Sequence, residues 1–196
     1  MRFGLLLSVC LCLAWAGPLS AQDAIPSARL REGRLSFDGR ATLGDFTGVT
    51  TTVAGEMTGG PGLAAVRGWV EAPVRTLKTG NAKRDQDLNK SMESGRYPTI
   101  RFDLGEVRPA GARGDTAEVV LVGVFRIHGV SREVELPARV VLARDEIRLR
   151  SDFPMNLEDY RIKGLSKFLG MVKMHPDIMV HVDLAFEPIT AGTPAR

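Results

Sequence analysis

VRTLKTGNAKRDQDLNKSMESGRYPTIRF, residues 74–102, changes its periodicity twice. It opens as a strand, crosses a polar turn at Thr79-Gly80-Asn81, and becomes helical over 82–92. Leu88 and Met92 stand four apart there and share one helix face, and Asn81 is placed to cap the first turn. Asp85, near the start, complements the helix dipole. Behind Tyr97-Pro98 the chain re-enters a strand, the proline fixing the backbone at the entry. GVFRIHGVSREVEL, residues 123–136, then reads as a hairpin whose turn falls at His128-Gly129-Val130, with Gly129 supplying the unusual backbone angles.

Outward from these stretches nearly every segment alternates with period 2, the mark of strands with one face buried. Leu35 and Phe37 alternate with Arg34, Ser36 and Asp38. Val66, Gly68, Val70, Ala72 and Val74 share a face opposite Trp69 and Glu71, and Ile100, Phe102 and Leu104 oppose Arg101 and Asp103. The same holds for Val134 to Leu142, for Ile147, Leu149, Ser151 and Phe153, and for Ile178 to Phe186 opposite Met179, His181 and Asp183. Turns expected at Gly59-Gly60-Pro61-Gly62, Pro109-Ala110-Gly111 and Arg144-Asp145 suit an antiparallel meander, not parallel units with repeated helices. On the residues alone a closed barrel and an open sandwich of two sheets fit equally. The stretch LSKFLGMVKM, 165–174, is apolar where a connection is usually polar, which makes it a lid or a wall of a pocket.

Residues 1–21 carry one charge at Arg2, an apolar run from Leu5 to Ala16 and small residues ending at Ala21, the layout of a cleaved signal peptide. The run is too short for the roughly 20 residues a membrane-spanning helix needs. The only two cysteines, Cys10 and Cys12, lie inside it, so the mature chain is expected to hold no disulfide or thiolate metal site. A linker over 22–28, one domain over 29–189 and a disordered tail over 190–196 complete the expected plan. The 196-residue chain is 44% hydrophobic with a formal net charge of +3. Its basic residues are interleaved with acids, unlike the concentrated stripe of a nucleic-acid binder.

Catalytic signatures are sparse. There is no Gly-x-Ser-x-Gly elbow and no glycine-rich phosphate loop opening a helix. His175-Pro176-Asp177 with His181 and Asp183 is the nearest approach to a metal set, and alternation puts His181 and Asp183 on an outward face without implying convergence. No metal site and no enzymatic activity are therefore expected. The inward set Val70, Val74, Phe102, Leu136, Val140, Leu149, Phe153, Val182 and Phe186 either packs a dry core or lines a tunnel. Small inward residues, Gly68, Ala72, Ala138 and Ser151, would leave voids costing on the order of 24 cal/mol per Å³, which favours an occupied interior.

Five short patterns stand in a telling order: Leu43-Gly44-Asp45-Phe46-Thr47-Gly48; Arg84-Asp85 with Leu88; Tyr97-Pro98-Thr99-Ile100-Arg101-Phe102; residues 123–132; and Leu157-Glu158-Asp159-Tyr160-Arg161-Ile162. Together they resemble the YceI-like family over nearly all the chain after the leader. The resemblance implies an all-β fold, an antiparallel, roughly eight-stranded, up-and-down lipocalin-like β-barrel with the short helix over one mouth. It also implies a periplasmic or secreted protein that binds, sequesters or transports a long-chain amphiphile of polyisoprenoid, quinone or fatty-chain type, with no cofactor besides that lipid. Arg84, Leu88, Tyr97, Phe168, Leu169 and Val172 are the candidate mouth and lid residues. No nucleic-acid partner, a transient membrane contact and a monomer or weak homodimer complete the expectation. Two other readings remain at this point: a stress or interaction protein with a packed core, docking through Trp69 and 165–174, and a His-dependent or metal enzyme acting on a bound lipid.

Overall fold

In a computed structural model describing residues 24–42, 44–163, 166–167 and 172–189, the alternating segments form one closed antiparallel sheet. Its strands are β1 (Ala28–Gly39), β2 (Phe46–Thr50), β3 (Ala54–Thr58), β4 (Arg67–Pro73), β5 (Thr99–Arg113), β6 (Thr116–Ile127), β7 (Val130–Leu142), β8 (Ile147–Asn156) and β11 (Asp177–Pro188). A separate ribbon pairs β9 (Ser166–Lys167) with β10 (Val172–Lys173). The helix α1 spans Ala82–Ser91. The leader with Cys10 and Cys12, the side chains of 166–173 including Phe168, Leu169 and Val172, and the tail lie outside the described residues.

Each strand from β3 to β8 pairs with its sequence neighbour, and β11 pairs with β8 on one side and β1 on the other. That last pairing, from Ala28 with Pro188 to Asp38 with Met179, closes the barrel and removes the sandwich alternative. β2 and β3 lie end to end along the other edge of β1, β2 against Leu35–Gly39 and β3 against Ala28 and Arg29. They occupy the place of one strand interrupted at 51–53, so the barrel has eight strand positions.

The local reasons are visible in the chain. At the β6–β7 hairpin His128 and Gly129 take φ of 51° and 73°, the mirror-image turn whose twist matches a two-residue hairpin. The α1 start is capped by Asn81, whose Oδ1 accepts from the Arg84 N–H at 3.0 Å.

Three expectations need correction. Pro109-Ala110-Gly111 is no turn: β5 runs through it, and the reversal falls at Gly114-Asp115. β4 pairs only with Thr99–Leu104, so this part of β5 has a free edge that tolerates proline, and a register shift between Pro109 and Gly111 absorbs Ala110. Val74 does not continue β4; it begins a 3₁₀ turn with its N–H bonded to the Pro98 carbonyl at 2.8 Å. The expected linker belongs to the barrel over its described part. Ile25 exchanges two backbone hydrogen bonds with Gly60, and Ser27 Oγ accepts from the Gly59 N–H at 3.0 Å.

Candidate ligand cavity

The inward faces do not meet in the middle. They enclose a cavity of about 730 Å³, inside the roughly 300–1,000 Å³ range of small-molecule sites. Val70, Phe102, Leu136, Val140, Leu149, Phe153, Val182 and Phe186 all line it, as alternation placed them. Gly68, Ala72 and Ser151 line it too, and the space is partly the volume that larger side chains would have filled. Ala138 instead packs into the wall, as does Val74, which is 1% exposed and off the cavity. Phe125 sits among the lining aromatics, 4.9 Å from Phe102 and 5.9 Å from Phe153 between ring centroids.

The hydroxyls of Ser151 and Thr50 on the cavity wall are satisfied within the protein. Ser151 Oγ donates to the Pro137 carbonyl at 2.6 Å. The Thr76 hydroxyl donates to the Pro73 carbonyl at 2.7 Å and receives the Thr50 hydroxyl at 2.7 Å. The middle of the cavity therefore presents hydrocarbon to whatever enters it.

The two ends differ. At one, the N-terminal segment and the β3–β4 connection cross the barrel and are tied by the Ile25 and Gly60 backbone bonds, with Ile25 and Leu63 facing the cavity. At the other lies α1, whose Leu88 and Met92 point into the barrel while Asn81 and Lys83 stand exposed at its rim. Arg84 lies 4.4 Å over the Phe46 ring, its Nε donating to Thr79 Oγ1 at 3.2 Å, and Lys83 Nζ is 3.6 Å from Asp87 Oδ1. Thr79 gives both its N–H and its hydroxyl to Asp85, which holds that carboxyl below its ordinary range. Ser91 Oγ donates to the Lys163 carbonyl at 2.8 Å, so the far end of the helix is anchored as well.

Arg84 and Leu88 thus line the cavity at the helix end, whereas Tyr97, at the same end, does not line it. Its ring packs 4.8 Å from His128, over Gly129, and supports the β6–β7 turn. The His128 side chain is 9% exposed there, its Nδ1 at 3.0 Å from the Tyr160 carbonyl and its Nε2 at 3.3 Å from Glu93 Oε1. Burial pushes the Tyr160 phenol up. His181 lies on the outer wall with Nδ1 2.6 Å from Asp152 and Nε2 3.1 Å from Asp38. His175 is engaged through its backbone N–H with the Arg40 carbonyl. Trp69 is half-buried beneath the Arg101 guanidinium at 4.6 Å. Among the described residues no group of three or more His, Cys, Asp or Glu side chains is arranged to hold a metal.

Sequence reasoning missed Ile25, Phe46, Leu63, Ile162 and Met174 as cavity residues. All lie in or beside connections, where no alternation marks which way a side chain turns. Phe46 and Ile162 carried a signal as parts of the first and last family patterns, and Met174 as the end of the apolar 165–174 stretch.

A closed eight-position antiparallel barrel around an apolar interior, with one end under a helix, defines the class of small ligand-binding barrels. The chain belongs to the YceI-like family: a YceI-like domain model matches residues 30–186. The fold is similar to the crystal structure of BcnA from Burkholderia cenocepacia, with a TM-score of 0.67 and 15% identity over 78% of this chain and 95% of that one. It is similar also to a polyisoprenoid binding domain from Saccharophagus degradans implicated in plant cell wall breakdown, with a TM-score of 0.67 and 14% identity over 84% and 100% of the two chains. A Campylobacter jejuni YCEI protein aligns with a TM-score of 0.51 and 16% identity over 63% of this chain and 72% of that one. No curated protein matches the chain. At such identities the likeness is one of fold.

Proposed function

We propose that this chain binds a long apolar chain bearing a polar head, of polyisoprenoid or related quinone type, and carries or sequesters it in the periplasm. The observation that carries the reading is the cavity of about 730 Å³ with hydrocarbon walls. Hydrocarbon walls around a space of that size lose packing contacts wherever no atoms face them, which favours an apolar occupant. Such a space persists when something fills it. Water is poorly suited, because the inward hydroxyls already bond to the protein.

Burial at roughly 0.8 kcal/mol per methylene gives a ten-carbon tail about 8 kcal/mol, micromolar affinity before the costs of ordering. Such a ligand needs few polar contacts, and those available lie with Asn81, Lys83 and Arg84 at the helix end. The similar domain from Saccharophagus degradans, described as polyisoprenoid binding, supports the same ligand class here. Binding without catalysis fits the placement of the histidines, His128 in a turn and His181 between two carboxylates on the outer wall.

The test is an organic extract of protein purified without detergent, analysed by mass spectrometry beside Val140→Trp and Val182→Trp variants, which place indole in the cavity. Stoichiometric isoprenoid-type lipid, absent from both folded variants, is the expected result. Empty extracts from the parent chain, before and after incubation with envelope lipids, would sink the reading.

A further inference from the structure

The connections at the helix end carry a charge the rest of the barrel does not. Antiparallel pairing gathers residues 40–42, 44–45, 74–98, 128–129, 157–163 and 174–176 at this end, and two hydrogen bonds tie these connections to one another: His175 N–H to the Arg40 carbonyl and Ser91 Oγ to the Lys163 carbonyl. Arg40, Arg75, Lys90, Arg161 and Lys163 are exposed there without an acidic partner among the described residues. Against them stand two acids without a described cation, Asp45 and Glu158, since Asp85, Asp87, Glu93 and Asp159 are already paired with Lys78, Lys83, Arg96 and Arg132. The opposite end is the reverse: its 59–66 connection has no charge, and its other two carry Asp115, Arg144, Asp145 and Glu146.

We infer that the helix end is a docking surface for an anionic lipid bilayer, through which the apolar chain passes between membrane and cavity. The inference rests on the carrier reading for its loading role and on charge complementarity for its partner. A chain insoluble in water crosses most readily where the cavity rim touches the bilayer, and here the rim and the excess cations coincide. Interleaved charge along the strands gives no comparable face on the wall, where Arg108–Glu135, Arg139–Glu118 and Arg150–Asp183 pairs alternate. Each basic side chain near an anionic surface contributes roughly fivefold to partitioning, with attraction fading over a Debye length of ~8 Å at physiological salt.

Protein recovered from the expressing cell would be sedimented with vesicles of phosphatidylcholine alone or of phosphatidylcholine with phosphatidylglycerol. The parent is compared with a paired Arg40→Glu and Lys163→Glu variant and with Arg144→Glu at the far end, and each sample is also extracted for bound lipid. Binding to the anionic vesicles that weakens with salt, falls tenfold or more in the helix-end variant and survives in Arg144→Glu is the expected outcome. Equal binding to both vesicle types, or equal loss in both variants, overturns the inference. So does binding to an acidic polypeptide in place of vesicles, which would make the face a site for an acidic protein. Absence of vesicle binding with lipid still in the extract would sink the docking surface and leave the carrier standing. Vesicle binding with empty extracts would keep the surface and sink the carrier.

Discussion

His181 stands on the outer wall where β1, β8 and β11 run side by side, its two ring nitrogens against Asp152 and Asp38. The hydrogen bond that the ring donates to Asp152, then that to Asp38, raises its pKa above the ordinary ~6.5, and Asp38 is lowered by the Thr47 hydroxyl first and His181 second. On the same face Asp183 pairs with Arg148 and Arg150, and Arg34 stands opposite Asp183 on β1. A histidine whose folded pKa is raised contributes stability that is whole below ~6.5 and is lost as pH rises through the folded value. Melting temperature should therefore fall between pH 6 and 8 in the parent and stay flatter in His181→Gln, with an NMR titration of the ring giving a midpoint above 6.5. A midpoint at or below that value would refute the bridge. Gly129 offers a second residue-scale test: with φ of 73° and the Tyr97 ring 2.5 Å from where a Cβ would stand, Gly129→Ala should cost more than about 1 kcal/mol by urea unfolding.

At the scale of elements, α1 was legible because everything that defines it is local. The cap at Asn81, the Leu88 and Met92 spacing and the stop before Pro98 lie within the stretch itself. Asp85 adds a contact that its sequence position did not reveal, since it reaches back to bind both donors of Thr79. Asp85→Ala should lower stability by about 1.5–3 kcal/mol and speed amide exchange in α1, because two charge-assisted bonds are lost and Thr79 keeps its donors. Unchanged exchange in the helix would show that the turn holds without the carboxylate. Strand faces were legible for a similar reason: alternation placed Phe102, Leu149 and Val182 on the cavity without any knowledge of neighbours. Where pairing partners decide, the sequence was silent. Pro109-Ala110-Gly111 looks like a turn until one knows that β4 has already ended and that β6 runs on beside it. Tyr97 looks like a rim residue until the β6–β7 hairpin is laid beneath it.

At the scale of the whole molecule, the interior is a compromise between stability and space. Ala72 is 1% exposed and lies on the cavity wall, so a larger apolar side chain there gains contacts without displacing a neighbour's polar group. Ligand at a hundredfold excess over its dissociation constant stabilises the folded state by about 2.7 kcal/mol, and about 2–4 °C accompanies each kcal/mol in a chain of this size. Delipidated parent protein should then melt roughly 5–10 °C below the loaded form. Ala72→Leu should behave oppositely in the two states: the delipidated variant gains on the order of 0.5–2 kcal/mol from filling space, while its lipid content and the gap between loaded and delipidated melting temperatures both shrink. Calorimetry on the four samples separates the terms. A delipidated variant no more stable than the delipidated parent would mean the wall has already relaxed inward when the ligand leaves, so that the cavity is made by its occupant and not held open by the closed sheet.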